Sequence, residues 1–179
     1  MGLNPLFSER MVLDAYRKEI SPKKVQQDAE ENFRKGFYCC EALICAIRDN
    51  FELDVPPQII AMASGMAVGA GQAGCMCGAF NGGTMALGLF FGRTEPRGTE
   101  DPQSVKCLRL TRELYDWFKE ANGKNTLCCR VLTRQFTLSP EEHARQCVWL
   151  TGLCALKTAQ IIVRELGLTN LDEQPALDK

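Results

Sequence analysis

Charged residues stop at Asp54 and do not resume until Arg93, a run from Val55 to Gly92 with none at all. Nine of the fifteen glycines fall in it, together with Gln58, Ser64, Gln72, Asn81 and Thr84. A membrane-spanning helix needs about 20 predominantly apolar residues. The uninterrupted apolar stretches here are short, such as Met85 to Phe91 with Gly88 inside, so the run does not read as a span. It predicts two buried helical segments joined by a buried, glycine-built turn, uncharged because it lies at the centre of the fold.

Outside that run the apolar positions recur at helical spacing, and caps mark where helices begin. Ser8 to Ile20 reads as amphipathic, with Met11, Val12, Tyr16 and Ile20 inward. Ser21-Pro22 combines an N-cap with a proline at the first helical position and opens a polar helix to about Lys35, ended by Gly36. Phe37 to Phe51 is the next helix, followed by Pro56-Pro57 and a short helix to about Gly65. A loop to Gly74 leads into a central helix, Met76 to about Phe91. Gly78 and Gly82 share one face of it, which lets another backbone or a cofactor come close. Arg93 to Asp101 is a polar surface loop, and Asp101-Pro102 starts a helix to about Ala121. Asn122-Gly123 stops that helix, and Thr126 caps a short one carrying Cys128 and Cys129. Ser139-Pro140-Glu141-Glu142 is a capping box opening a helix to about Leu166 that holds Cys147 and Cys154 on one face. No strand pattern and no repeat emerges. The expectation is an all-α, single-domain helical bundle: an N-terminal helical extension over 1–20, a cysteine-rich domain over 21–168 and a flexible tail over 169–179.

Composition narrows the function. The 179 residues carry 21 Lys and Arg against 22 Asp and Glu, so the basic footprint of a nucleic-acid binder is missing. Ten cysteines face a single histidine, His143. One histidine excludes His-rich zinc sites and a haem with two His ligands. The lack of Cys-x-x-Cys excludes the zinc ribbon, the thioredoxin motif and the c-type haem attachment signal. The N-terminus shows no basic region followed by an apolar core, and position 6 is Leu where a myristoylation site wants Ser or Thr. The chain therefore reads as cytoplasmic, with no membrane partner, and its thiols as reduced. Metal, cluster or redox chemistry then outranks structural disulfides. Gly69-Ala70-Gly71-Gln72-Ala73-Gly74 spells G-x-G-x-x-G, but no strand precedes it and no βα units follow. No nucleotide is expected, and the glycines read as a tight turn in a crowded place. Adjacent side chains on a helix diverge by about 100°, so at most one of Cys39-Cys40, and one of Cys128-Cys129, faces a shared centre easily. Any single cysteine is well explained as a small buried hydrophobe. If the chemistry is metal-free thiol–disulfide exchange, Cys75 and Cys77 are the pair to suspect as catalytic thiols.

The segment Gly69-x-Gly71-x-x-Gly74-x-x-Cys77-Gly78-Ala79-x-x-Gly82-Gly83-x-Met85-x-Leu87-Gly88 resembles the redox-active proteins named for a C…GCAxxG…C…C cysteine pattern. Gly36-Phe37-Tyr38-Cys39-Cys40-Glu41-Ala42 is similar to that family's first cysteine segment, and the alignment selects Cys39 over Cys40. Cys129-Arg130-Val131-Leu132 resembles the third segment, and Cys147 is the natural fourth, with Cys154 its rival. The order Cys77-Gly78-Ala79 departs from the Gly-Cys-Ala of the family's label. The family is also similar to the cluster-bearing part of split-Soret cytochromes. The resemblance implies an iron–sulfur cluster held by Cys39, Cys77, Cys129 and Cys147, without haem, in a protein that transfers electrons or senses redox state. Gly74, Gly78 and Gly82 would leave room for that cofactor, and Arg130, with Arg134, would offset its charge. His143, one turn before Cys147, stands as an outer ligand or as a plain surface residue. A redox protein is the implied partner, and a homodimer the implied assembly. A non-catalytic helical interaction module with buried thiols is the reading that this resemblance displaces.

Overall fold

The computed structural model describes residues 15–136 and 139–173, and they form a helical bundle. A short strand, β1 (Glu19–Ile20), is followed by α1 (Pro22–Arg34), α2 (Cys39–Asn50) and α3 (Gln58–Ala61). A 3-10 turn (Ser64–Met66) leads into α4 (Ala67–Ala70), a single turn whose Val68 and Gly69 are left-handed. Then come α5 (Gly78–Phe91), α6 (Pro102–Ala121), α7 (Cys129–Thr133), α8 (Pro140–Leu166) and β2 (Thr169–Asn170). The caps act as the sequence predicts. Ser21, Asp101 and Ser139 each accept a backbone N–H from three residues on, and each is followed by a proline.

The core is built by α1, α2, α5 and α8, with α6 laid against α5. Helix α5 is buried almost all round, which is why it carries no charge. Its paired glycines set the spacing. A Cβ on Gly82 would meet the Cys40 backbone at 2.9 Å, and one on Gly83 would meet Leu114 and Thr158 at 2.8 Å. Neither site has room for a side chain, so α2 crosses close on one side and α6 and α8 on the other. Phe51, Phe90, Phe118, Leu87, Leu110 and Leu114 fill the spaces between helices and are sealed from water. Helix α8 is long and apolar enough to cross a membrane by length and composition, but more than half of that window is buried inside the protein.

Three expectations are corrected. Residues 15–20 are not helical: Arg17 donates its N–H to the Phe51 carbonyl at 2.9 Å, and Ile20 pairs in a parallel two-residue ladder with Asn170. The reason is local, because Ser21 must be extended ahead of Pro22 and the chain enters it extended. The remainder of that predicted helix lies outside the described residues. Residues 169–173 are docked, not loose. The Asp172 carboxylate accepts from Ser21 Oγ at 2.5 Å and from the Lys23 N–H at 2.7 Å, so the C-terminal segment caps α1. The rest of the predicted tail, 174–179, falls outside the described residues. Lastly, only the α5 half of the uncharged run is central. Fourteen residues between Pro56 and Met76 are exposed.

Candidate metal centre

Four helices deliver one cysteine each to a single cavity of about 270 Å³. Cys39 opens α2, Cys77 is the N-cap of α5, Cys129 opens α7 and Cys147 lies in the second turn of α8. All four line the cavity, together with His143, Gly78 and apolar walls that include Phe33, Leu132 and Leu150. Cys39, Cys77 and Cys129 are buried, and Cys147 is half-buried.

The vicinal pairs divide as helical geometry requires. Cys40 turns away into a small apolar cluster with Ile44, Ile60 and Ala63, and its thiol reaches the Ala63 carbonyl at 3.0 Å. Cys128 is half-exposed and donates to the Gly74 carbonyl at 3.4 Å. Cys154, the rival of Cys147, is sealed in the core near Gly83 and is not among the cavity's lining residues. Cys75 is exposed, whereas Cys77 is buried, so the two thiols of Cys75-Met76-Cys77 meet different environments.

A short antiparallel bridge fixes Cys77 against Cys129. The Cys77 N–H donates to the Leu127 carbonyl at 2.7 Å, and the Cys129 N–H to the Cys75 carbonyl at 2.5 Å. Arg130 extends the clasp with its backbone N–H on Gly74 at 3.0 Å and its guanidinium on the Ala73 carbonyl at 2.8 Å. Arg130 thus binds the glycine loop, and its side chain occupies the space beside Gly74 that a Cβ would take. Among the glycines expected to make room for a cofactor, Gly78 does face the cavity: a Cβ there would collide with Cys39 Sγ. Gly82 serves the α2–α5 crossing, as described above.

The glycine turn reaches the cavity by an unusual route. Val68, Gly69, Ala70, Gly71 and Gln72 all have positive φ, a full left-handed turn in which three residues are not glycine. A β-branched residue there is a true outlier and carries strain of about 1–2 kcal/mol. The turn is closed by Gly74 and Cys75 N–H groups on the Val68 and Gly69 carbonyls, at 3.2 and 3.0 Å. Val68 thereby lines the cavity.

Electrostatics separate the four thiols. Cys39 is held down to about 7, first by a hydrogen bond from the Cys40 thiol and then, against burial, by the N–H groups of Val68, Cys40 and Cys39 itself. Cys40 is pushed up correspondingly, by Cys39 first and by burial. Burial raises Cys77 well above the usual thiol range, and a Cys39 thiolate raises it further. Burial also lifts Cys129, and it lifts Cys147 to about 12, with Cys39 thiolate charge adding to each. The thiols therefore feel one another, and in the absence of a cation they oppose joint ionisation. Among the described residues no three His, Cys, Asp or Glu side chains close tightly enough to hold a single metal ion.

Sequence reasoning did not find Val68, Phe33, Leu132 or Leu150 as walls of the site, since their only signal is apolarity. His143 was visible as the sole histidine, and the structure puts it on the cavity wall.

Comparison with known proteins agrees with this architecture. No curated protein matches the chain. A solved structure, reported as showing a novel iron centre in the split-Soret cytochrome c from Desulfovibrio desulfuricans ATCC 27774, superposes with a TM-score of 0.65 at 19% identity. The match covers 83% of this chain and 70% of that one, and at this identity it speaks to the fold. A family profile described as "Putative redox-active protein (C_GCAxxG_C_C)" matches residues 37–161, a span that contains all four cavity cysteines and every lining residue of the cavity except Phe33. The chain belongs to this family of cysteine-patterned, redox-active proteins.

Proposed function

We propose that this is a cytoplasmic electron-transfer protein that binds an iron–sulfur cluster through Cys39, Cys77, Cys129 and Cys147 and exchanges electrons with a redox protein partner. One observation carries the reading: four thiols from four separate helices line one apolar cavity. The donor set is soft, as iron–sulfur and other thiophilic centres require. The missing Cβ at Gly78 lets Cys39 Sγ sit directly against the start of α5, beside Cys77. A cluster carries its own bridging sulfides between several irons, which suits thiols spread around a cavity better than thiols closed on a point.

Bound there, the cluster would supply a one-electron couple. The chain's own groups prepare the place. The N–H groups of Ala79 and Phe80 at the start of α5 favour charge on Cys77, and those of Val68 and Cys40 favour it on Cys39. Phe33, Leu132 and Leu150 keep water from the sulfurs. The protons that burial holds on Cys77, Cys129 and Cys147 leave as metal arrives, so loading releases acid.

Anaerobic reconstitution with ferrous iron and sulfide tests the assignment. The expected product is brown, with iron and sulfide in stoichiometric amounts. Cys77→Ser and Cys147→Ser should bind less iron, while Cys75→Ser and Cys154→Ser should load normally. Colourless protein after reconstitution refutes the reading. A thiol count that then falls by two on mild oxidation would establish thiol–disulfide chemistry in its place.

A further inference from the structure

A charged sulfur in an apolar cavity needs hydrogen-bond donors, and here they are unevenly spread. Cys39 is served by the Cys40 thiol and by the N–H groups of Val68, Cys40 and Cys39 itself. Cys77, though raised by burial, is served by the N–H groups of Phe80 and Ala79. At Cys129 and Cys147 only burial and the charge of neighbouring cysteines act, and no N–H group assists. The start of α7 has spent its donors elsewhere. The Cys129 N–H is on the Cys75 carbonyl, that of Arg130 on Gly74, and those of Val131 and Leu132 on Cys128. Cys147 lies inside α8, where the helix itself uses the N–H groups. Arginine does not fill the gap. The Arg130 guanidinium turns to the Ala73 carbonyl, and neither Arg130 nor Arg134 lines the cavity.

One side chain on the cavity wall can fill it. His143 stands four residues before Cys147 on α8, and both line the cavity. Four residues is about one turn, so the two share a face, and a helical side chain leans back over the turn before it. Cys147 is thus carried toward the imidazole. Both are half-buried, whereas the other three thiols are buried, so this is the edge of the site nearest water. The Thr133 hydroxyl, also on the wall, is already given to the Cys129 carbonyl at 2.9 Å. We infer that His143 donates a ring N–H to sulfur at the Cys147 edge of the cluster, and so sets the potential of the couple without being a ligand. The inference rests on the cluster reading above. A neutral imidazole carries one N–H, so the role needs no change of protonation. Four thiolates make the centre negative, and reduction adds to that charge. A donor therefore favours the reduced form and raises the potential.

The test uses the full chain reconstituted with iron and sulfide, and reads its midpoint potential. His143→Ala should load as much iron as wild type, with a lower midpoint. His143→Gln keeps an N–H donor and should recover most of the drop. Arg145→Gln removes a whole positive charge two residues from Cys147 but outside the cavity, and should shift the midpoint less than His143→Ala. His143 is the chain's one histidine, so labelling histidine with nitrogen-15 reports on it alone. Pulsed paramagnetic resonance of the reduced, labelled protein should show the weak coupling of a hydrogen-bonded ring. An unchanged midpoint in His143→Ala overturns the inference, as does an equal shift in Arg145→Gln. The strong coupling of a bound nitrogen, or loss of iron in His143→Ala, overturns it by making His143 a ligand. Each of those results leaves the cluster reading standing. A wild type that takes up no iron refutes that reading, and this inference with it.

Discussion

At the scale of single residues, two glycines on one helix have opposite meanings. Gly78 and Gly88 both lie in α5, where alanine is intrinsically better than glycine by about 1 kcal/mol. At Gly88 a Cβ meets nothing within 4 Å, so Gly88→Ala should raise stability by about that amount. At Gly78 the Cβ would strike Cys39 Sγ, so Gly78→Ala should lower stability by about 1–3 kcal/mol, the usual cost of overpacking. It should also reduce iron uptake. Chemical denaturation of both variants checks the signs, and a stabilised Gly78→Ala would mean that the space beside Cys39 is not confined. The sequence made part of this legible. Gly78 and Gly82 were readable as a close-approach face, but which glycine met a helix and which met a thiol depends on the α2 register. The vicinal cysteines were similar. The 100° divergence predicts that the pairs split, and here Cys39 and Cys129 go to the cavity while Cys40 and Cys128 do not. Direction was not readable, because both members of each pair are chemically identical and only packing distinguishes them.

At the scale of elements, helix boundaries were the most legible feature, since Ser21, Asp101 and Ser139 satisfy orphan N–H groups by chemistry local to a few residues. The left-handed turn was not. Gly69, Gly71 and Gly74 hint at positive φ, but Val68, Ala70 and Gln72 adopt it against their own preference, held by hydrogen bonds that exist only after the loop closes. The contact between α6 and α8 was hidden for a different reason, because its polar part joins residues far apart in the chain. Glu113 on α6 takes a bidentate pair from Arg164 on α8, at 2.8 and 2.7 Å, and a second cation from Lys157 at 3.3 Å. The Arg164 guanidinium foremost, aided by Lys157 and opposed by burial, holds the Glu113 carboxyl below its ordinary value of 4.5. A depressed carboxyl stabilises the fold above its unfolded value and loses that contribution as pH falls through the folded one. Glu113→Gln should therefore cost at most about 1 kcal/mol at neutral pH, as befits a partly exposed pair. The difference between variant and wild type should shrink as pH falls below 4.5 and vanish only below the depressed folded value. Urea titrations across that range read the difference directly, and a cost that persists into acid would remove the ion pair as its cause.

At the scale of the whole molecule, the cavity sits where strong and weak parts of the fold meet. Helices α1, α2, α5 and α8 bury long continuous faces against one another. Helix α7 has five residues and is joined to the glycine loop through the short bridge at Met76 and Cys128 and the Arg130 clasp. A helix of that length has no stability of its own. Its position relative to Cys39, Cys77 and Cys147 thus depends on a few hydrogen bonds and on whatever fills the cavity. A ligand that binds all four sulfurs joins this weak element to three helices of the core, and it stabilises the folded state by its own binding free energy. The gain should not be uniform, because segments already held at the global stability have little to gain in local opening. Hydrogen exchange on cluster-loaded and stripped protein should show slower exchange on loading in peptides spanning residues 66–77 and 127–136. Peptides from the middle of α2 and from α8 beyond Cys154 should change little. Uniform slowing would mean that loading stabilises only the global fold, and no change over 127–136 would mean that Cys129 is not a ligand.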